Sequence, residues 1–516
     1  MSLTEIPGIV DELRSSYESG LTRTLKFRIS QLRALNEMLE KEETVITKAL
    51  YKDLRKPYTE CVITELIPTK NAIADMILNL EEFMNPRIAH KPLALAGDVC
   101  EVRRVPLGVV LIIVPWNYPI CLSLVPLVGA IGGGNTSVLK LSEIAPHTSA
   151  ALAQIIPKYL DERVVRVVLG AIPESTLLLQ QKFDLLFYTG NTNVGRIVMQ
   201  AAVKHIVPVV LELGGKCPVI IDSTVDPAIA ARRIAWGKLN NCGQTCVAPD
   251  YILVEKSIAP HFVKELKLAI IEMIGNTPQT SSSYGRIVSS NHFKRLEKLL
   301  NAQLAVPGTK VAYGGQSDAS DLFIHPTILT GISTDAAENP IMSEELFGPI
   351  LPIIEIENIK QGIDYAKKNH PNPLAVYCFS RVRSVIEEVF AEVNAGGAVA
   401  NDVVIHVGCD DIPFGGVGSS GLGSYHGANS FNTFTREQSI LIRTVAHDHA
   451  NTLRYVNVSG NAKSFAFKIV KFAVQQGIPS DFILILNSIL NRLGGIRKIL
   501  LLFAIFTCGF YLGRRF

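Results

Sequence analysis

At 516 residues the chain is longer than one hydrophobic core ordinarily serves, so two or more domains are expected. Its 48% apolar and 19% charged content excludes a disordered or collagen-like polymer. Fifty basic and 47 acidic side chains, mixed along the chain to a net charge of +3, argue against a nucleic-acid binder, which would cluster its basic residues. Nine cysteines, scattered from Cys61 to Cys508, do not form a disulfide framework and suit a reducing compartment.

The first fifteen residues carry Glu5, Asp11 and Glu12 and no long apolar run, which fits neither a secretory signal nor an Arg-rich transit peptide. From Glu12 to Leu54 apolar residues recur at spacings of three and four, Leu32, Leu35, Met38 and Leu39 among them, predicting amphipathic helices. The pattern continues over Asp75–Phe83 and stops at Pro86. Beyond Val105 short β-branched runs alternate with helical stretches. Strands are predicted at Val109–Val114, Thr136–Leu141 and in VVRVVLG, DLLFYTG and PVVLEL; helices at Ile120–Ile131, Pro146–Leu160, near Glu174–Gln181 and at Asn193–Lys204. Such alternation makes a parallel sheet covered on both faces.

A second mixed α/β region follows Gly214–Gly215, with a helix over Asp226–Lys238, a strand at Tyr251–Val254, a helix over Ala259–Ile274 and further elements to about Phe414. Asn401–Gly423 is glycine-rich and loop-like. From about Val445 the chain becomes an extension with an amphipathic stretch, Phe465–Val474. Ile499–Gly513 is uncharged and bracketed by Arg497–Lys498 and Arg514–Arg515. As a helix it spans about 22 Å, short of the roughly 30 Å hydrocarbon core, but basic flanks can snorkel and the bilayer can thin. A transmembrane tail anchor is expected ahead of a final core helix, leaving the rest of the chain in the cytosol. The mitochondrial outer membrane is favoured over the endoplasmic reticulum or a lipid droplet.

Three strand ends carry candidate chemistry. Asn117 stands in Pro-Trp-Asn-Tyr-Pro after one buried strand, where two prolines stiffen the turn; its structural alternative is a helix cap. Gly190–Gly195 (GNTNVG) follows another strand and opens a helix, offering close backbone approach and N–H groups to a pyrophosphate; alone it is also an ordinary strand-to-helix turn. Glu212 ends a third strand, either solvated at an edge or held in a pocket as a general base. Ligands gather at the carboxyl ends of parallel strands, so the three mark one crevice. Cys246, in Gly-Gln-Thr-Cys, is either a small buried hydrophobe or a thiol activated by backbone N–H groups. Cys242 and Cys246 lack a second Cys/His pair at ligand spacing, so no metal is expected. The string Gly416–Gly418–Gly421 follows no buried strand and reads as a tight loop, not a dinucleotide fingerprint.

PWNYP, LKLSE, FYTGNTNVG, LELGGK, CGQTC, EELFGP and PFGGVGSSG occur here in the order found in the aldehyde dehydrogenase superfamily, and the chain resembles that superfamily over about residues 10–445. NCGQTCVAPDY and the Glu212-to-Cys246 distance are most similar to its class 3 branch, which includes fatty aldehyde dehydrogenases. NDVVIHVGCDDIPFGGVGSSGLG and the apolar tail are similar to membrane-attached, especially fungal, members. The resemblance implies Cys246 as nucleophile, Glu212 as general base for deacylation and Asn117 as oxyanion donor. It implies a dinucleotide, NAD or NADP, held by Trp116, by Lys140 and Glu143 at the adenosine ribose, by Gly190, Asn191, Thr192, Asn193, Val194 and Gly195 at the pyrophosphate, and by Glu345 and Phe347 at the nicotinamide ribose. Leu141 and Asn191 depart from the usual proline and serine, which bears on the choice between NAD and NADP.

The fold so implied is α/β, with a doubly wound parallel-sheet cofactor domain (residues 1–96 and 107–211) and a second α/β catalytic domain (212–423). Bridging segments at 97–106 and 424–445 form a small β oligomerisation arm joining a homodimer, partly through Asp98–Pro106 and Arg436–Thr444. An extension (446–498) and the hydrophobic anchor (499–513) complete the chain. The expected reaction is oxidation of a small-molecule aldehyde, a long-chain fatty aldehyde foremost, through a thiohemiacetal and a thioester. A CoA-acylating dehydrogenase is disfavoured by an intact Glu212, and a non-catalytic tethered protein by the retention of Cys246, Glu212 and Asn117.

Overall fold

The computed structural model describes residues 3–91, 95, 98–443 and 445. The extension, the Phe465–Val474 stretch and the anchor therefore lie outside the described residues. Among the described residues no helix is long and apolar enough to cross a membrane. The chain divides into two compact units, one of Met1–Phe83 with Val105–Arg436 and one of Met84–Arg104 with the residues from Glu437.

The larger unit opens with three helices, Ile6–Glu18, Leu25–Lys41 and Glu43–Leu54. Thr24 caps the second by accepting from the Phe27 N–H, and Leu32, Leu35, Met38 and Leu39 on its inner face are fully buried. A π-helical turn, Val62–Leu66, leads into helix Ile67–Met84. The first sheet has the spatial order Gly421–Leu422, Val209–Glu212, Leu185–Thr189, Val109–Ile113, Thr136–Lys140, Val165–Val168. Its five longer strands run parallel, and Gly421–Leu422 pairs antiparallel on the edge. Sequence order reverses between Val109–Ile113 and Leu185–Thr189, which makes the crevice beyond their carboxyl ends the topological switch point. Helix Cys121–Gly133, which follows the first strand, is buried nearly all round, as its apolar composition requires. It ends on Gly134, whose φ of +83° is the left-handed cap that a side chain resists.

The second sheet has seven strands, in the order Lys310–Tyr313, Thr327–Thr330, Ile350–Ile356, Tyr251–Glu255, Pro218–Ile221, Ala375–Phe379, Gly397–Ala400. All are parallel except the first, which pairs antiparallel at the edge. Helices Pro227–Leu239 and Ala259–Ile274 pack on each other beside it. The two-residue strand Gly421–Leu422 lies inside the segment expected to be loop, because two residues carry no periodicity to read. The Gly416–Gly421 string is the tight turn that delivers it: a Cβ on Gly416 would lie 2.1 Å from the Ser420 carbonyl.

In the smaller unit Arg87–Ile88 pairs antiparallel with Val99–Pro106, and Thr435–Ile442 completes a three-stranded sheet. Arg104 and Glu437 form an ion pair at 3.2 Å. Ile88, Val99, Leu441 and Ile442 remain exposed on these strands.

Candidate active site

The sheet register places the sequence candidates side by side. Ile113 pairs with Lys140 on one side and with Tyr188 on the other, and Thr189 pairs with Glu212. Asn117, Gly190 and Glu212 thus leave the same edge of one sheet, as the sequence implied. Asn117 is buried; its Nδ2 donates to the Gln244 carbonyl at 3.1 Å, which ties the turn to the loop carrying Cys246. Its own carbonyl accepts from Lys56 Nζ at 3.1 Å and from Asn241 Nδ2 at 2.8 Å. The next residue, Tyr118, shares a 2.6 Å hydrogen bond between its hydroxyl and Thr245 Oγ1.

The cysteine loop is built on an unusual turn. Asn241 and Cys242 both have positive φ, +49° and +55°, and Gly243 follows at +73°. A Cβ on Gly243 would lie 2.4 Å from the Gly348 carbonyl, so only glycine fits there. Gln244 is buried and fully used, donating to the Asn241 and Arg286 carbonyls and accepting from the Val288 N–H. On this frame Cys246 is half-buried. Burial pushes its thiol up to about 12, with the Glu345 and Glu212 carboxylates adding to the rise and the N–H groups of Cys246 and Val247 opposing it. Cys242, by contrast, is buried in the core, and no metal-binding group of His, Cys, Asp and Glu occurs among the described residues.

Glu212 is buried, and neither of its carboxylate oxygens has a hydrogen-bond partner. Burial raises its pKa well above the ordinary carboxylate value. Such a group is an energetic cost to the fold unless something else uses it. A second carboxylate arrives from a distant segment: Glu345 is pushed up to about 8 by burial and by Asp250, while the Gly215 N–H, Lys216 and Arg295 oppose the shift. A Cβ on Gly214 would lie 2.0 Å from Glu345 Oε2, which places this carboxylate against the strand end just beyond Glu212.

The glycine turn suits a dinucleotide. Gly190 donates its N–H to the Glu212 carbonyl at 2.9 Å, and a Cβ there would lie 2.3 Å from the Tyr188 hydroxyl. Helix Thr192–Val203 opens next, with Asn191 as its N-cap accepting from Val194 N–H at 3.0 Å. Thr192, Asn193 and Val194 form its first turn, where an anion is favoured. A Cβ on Gly195 would come within 2.7 Å of Leu213, so this glycine lets the helix lie close to the strand. Beyond Val109–Ile113, Lys140 is buried, donates to the Leu141 carbonyl at 2.7 Å and stands 3.6 Å from Glu143. Trp116 meets Phe347 edge-to-face at 5.3 Å, although 231 positions separate them. Phe347 itself has φ +49°. Asn117, Gly190 and Glu212 thus stand at the carboxyl ends of the first sheet, with Glu345 against Gly214 and Phe347 against Trp116.

Sequence reasoning missed the support beneath Asn117. Lys56 and Glu65 form a buried ion pair at 2.6 Å, and Glu65, not Asn117, caps helix Cys121–Gly133 by accepting from the Ile120 and Cys121 N–H groups. Glu60 accepts from the Asn241 N–H at 2.7 Å. One signal was available: Cys61, Glu65, Thr69, Ala72 and Met76 recur at spacings of four, four, three and four on a buried stripe, and a carboxylate on such a stripe needs a partner. Near them a cleft of about 360 Å³ is lined by Tyr58, Glu60, Ile63, Trp236 and Asn240, next to the turn that enters the cysteine loop.

A thiol flanked by an amide and an unpartnered carboxylate, beside a glycine turn at a sheet switch point, is the equipment of an oxidoreductase working through a covalent sulfur adduct. The model of the aldehyde dehydrogenase family matches residues 9–440. Aldehyde dehydrogenase family 3 member A2 of Mus musculus is 44% identical over 454 residues, 88% of this chain and 92% of the relative. The dimeric NADP-preferring aldehyde dehydrogenase of Canis lupus familiaris is 44% identical over 453 residues, 88% of this chain and 98% of the relative. The solved structure of Staphylococcus aureus AldH in its substrate-bound state matches at a TM-score of 0.85 and 36% identity, covering 92% of this chain and 100% of that one. The chain belongs to the aldehyde dehydrogenase family, in its class 3 branch.

Proposed function

We propose that the enzyme oxidises long-chain aliphatic aldehydes to carboxylates with NAD or NADP, through a thiohemiacetal and then a thioester on Cys246. The convergence of Cys246, Asn117 and Glu212 at one sheet edge carries this reading. The Cys246 thiol loses its proton to solvent, the N–H groups of Cys246 and Val247 favouring the thiolate. The thiolate then forms a C–S bond to the carbonyl carbon, and the oxygen becomes an oxyanion. Asn117 Nδ2 and the Cys246 N–H stabilise that charge; losing one such donor costs roughly 2.7–4 kcal/mol of barrier. When bound, the nicotinamide accepts the hydride. The sulfur is left as a thioester. Glu212, its proton passed to solvent, deprotonates a water that adds to the acyl carbon; the C–S bond breaks and the carboxylate departs.

Residues 1–96 and 107–211 act as the dinucleotide-binding domain and 212–423 as the catalytic domain in this reading. Gly190–Gly195 hold the pyrophosphate, Lys140 and Glu143 the adenosine ribose, and Trp116, Glu345 and Phe347 the nicotinamide end. Lys140 offers a cation to a 2′-phosphate and Glu143 an acceptor to ribose hydroxyls, so both dinucleotides are proposed. The exposed apolar residues Ile88, Val99, Leu441 and Ile442 support a homodimer joined through the three-stranded sheet, 97–106 and 424–445 taking part. Membrane attachment is assigned to 499–513 on its uncharged run and four flanking cations, at the mitochondrial outer membrane ahead of the endoplasmic reticulum or a lipid droplet. The amphipathic stretch Phe465–Val474, outside the described residues, is proposed to guide long aliphatic aldehyde chains.

A spectrophotometric assay of reduced-nicotinamide formation, with aldehydes of graded chain length and each dinucleotide, tests the substrate. Deleting residues 445–516 is expected to depress activity on sixteen-carbon aldehydes more than on short or aromatic ones. An equal loss across the series counts against the lipid-directed reading.

A further inference from the structure

Beneath Asn117 lies a charge pair that takes no part in the chemistry. Lys56 is 1% exposed and Glu65 fully buried. Beyond their mutual contact, the hydrogen bonds of both side chains land on one short segment. Lys56 Nζ donates to the Asn117 carbonyl at 3.1 Å and sits 4.1 Å over the Tyr118 ring. Glu65 Oε2 accepts from Ile120 N–H at 2.9 Å and Cys121 N–H at 3.2 Å. Burial strips both ions of hydration, and apolar residues of similar volume often serve stability as well or better. Stability alone therefore gives a poor account of the pair, whereas its targets give a specific one.

We propose that Lys56 and Glu65 are positioning residues for the oxyanion donor, fixing the Asn117 amide relative to Cys246. The Asn117 carbonyl has two donors, Lys56 Nζ and Asn241 Nδ2, from opposite parts of the chain. With that peptide pinned and helix Cys121–Gly133 capped by Glu65, the side chain of Asn117 has little freedom left. The same helical turn also reaches the nucleophile's side. Glu60 and Glu65 lie five residues apart, Glu60 in the helical turn Tyr58–Cys61 and Glu65 in the π-helical turn Val62–Leu66 that follows it. Glu60 accepts from the Asn241 N–H at 2.7 Å, where the cysteine loop begins. One short helical segment thus sets the spacing between the two halves of the site.

This inference rests on Asn117 being the oxyanion donor, and the experiment separates the two. Single-turnover hydride transfer is measured for Lys56→Met, Asn117→Ala and the pair combined. Lys56→Met is expected to slow transfer by about 10- to 100-fold alone, since a misplacement near 1 Å reaches that range. In the Asn117→Ala background the same change should cost less than about threefold, because its route of action is gone. Losses that multiply overturn the proposal. An Asn117→Ala enzyme that keeps the parent rate overturns the reading beneath it and is recognised from that variant alone. Lys56→Met/Glu65→Gln, whose amide oxygen still accepts from the Ile120 and Cys121 N–H groups, should bind dinucleotide within about twofold of the parent and still transfer hydride slowly. A double variant that binds dinucleotide like the parent and also transfers hydride at the parent rate refutes the positioning role.

Discussion

Replacing Glu212 by Gln separates the two halves of the reaction. The amide has the shape of the carboxyl group, so the packing around a side chain with 3% exposure is kept, while the base is lost. Acylation draws chiefly on Cys246 and the oxyanion donors; hydrolysis of the thioester needs a base. General-base assistance is worth about 10²- to 10⁴-fold, or about 2.7–5.4 kcal/mol of barrier. Stopped-flow absorbance should therefore show a burst near one equivalent of reduced nicotinamide per site, then a steady state slowed by that factor. Mass spectrometry of the quenched enzyme should find the acyl group on the Cys246 peptide. Stability should move the other way. The folded state holds the Glu212 proton more tightly than the unfolded state does, so its contribution is full below the unfolded value of 4.5 and is lost as pH rises toward the folded value. Glu212→Gln should thus melt higher than the parent at neutral pH, with the gap closing near pH 4. A steady state equal to the parent's, with no burst, refutes the assignment of Glu212.

Glu345→Gln removes the largest electrostatic contribution holding the Cys246 thiol near 12. The Cys246 peptide should then be alkylated several-fold faster at pH 8 in dinucleotide-free enzyme, measured by mass spectrometry; an unchanged rate refutes the coupling. Gly195→Ala forces a methyl to 2.7 Å from Leu213. It should cost about 1–3 kcal/mol in urea unfolding and raise the KM for dinucleotide more than that for aldehyde. Unaltered values of both would show that helix and strand need no close approach there.

The β–α alternation was legible because Val109–Ile113, Leu185–Thr189 and Val209–Glu212 are apolar runs buried on both faces, with Gly190 and Gly214 close behind the last two. Three candidate residues at strand ends were legible for the same reason. Cys246 and Glu345 were not, since neither ends a strand of the first sheet; ordered motifs shared with a family identified them. The edge strand Gly421–Leu422 has no pattern of its own and exists because Glu212 and Leu211 offer it partners. Lys56 and Glu65 escaped notice because their meaning lies in hydrogen bonds to residues more than fifty positions away. The sequence places Asn191 beside the cofactor, and its side-chain oxygen accepts from the Val194 N–H of the helix it begins.

The successive left-handed residues Asn241 and Cys242 bear on how the cysteine loop is held. L-residues enter that region at a cost of about 1–2 kcal/mol each, and stay only where neighbours close the alternatives. Here Glu60 grips the first residue and Gly348 crowds the glycine that follows. The entry to the cysteine loop is thus held from both sides, as the frame of a lock holds its bolt.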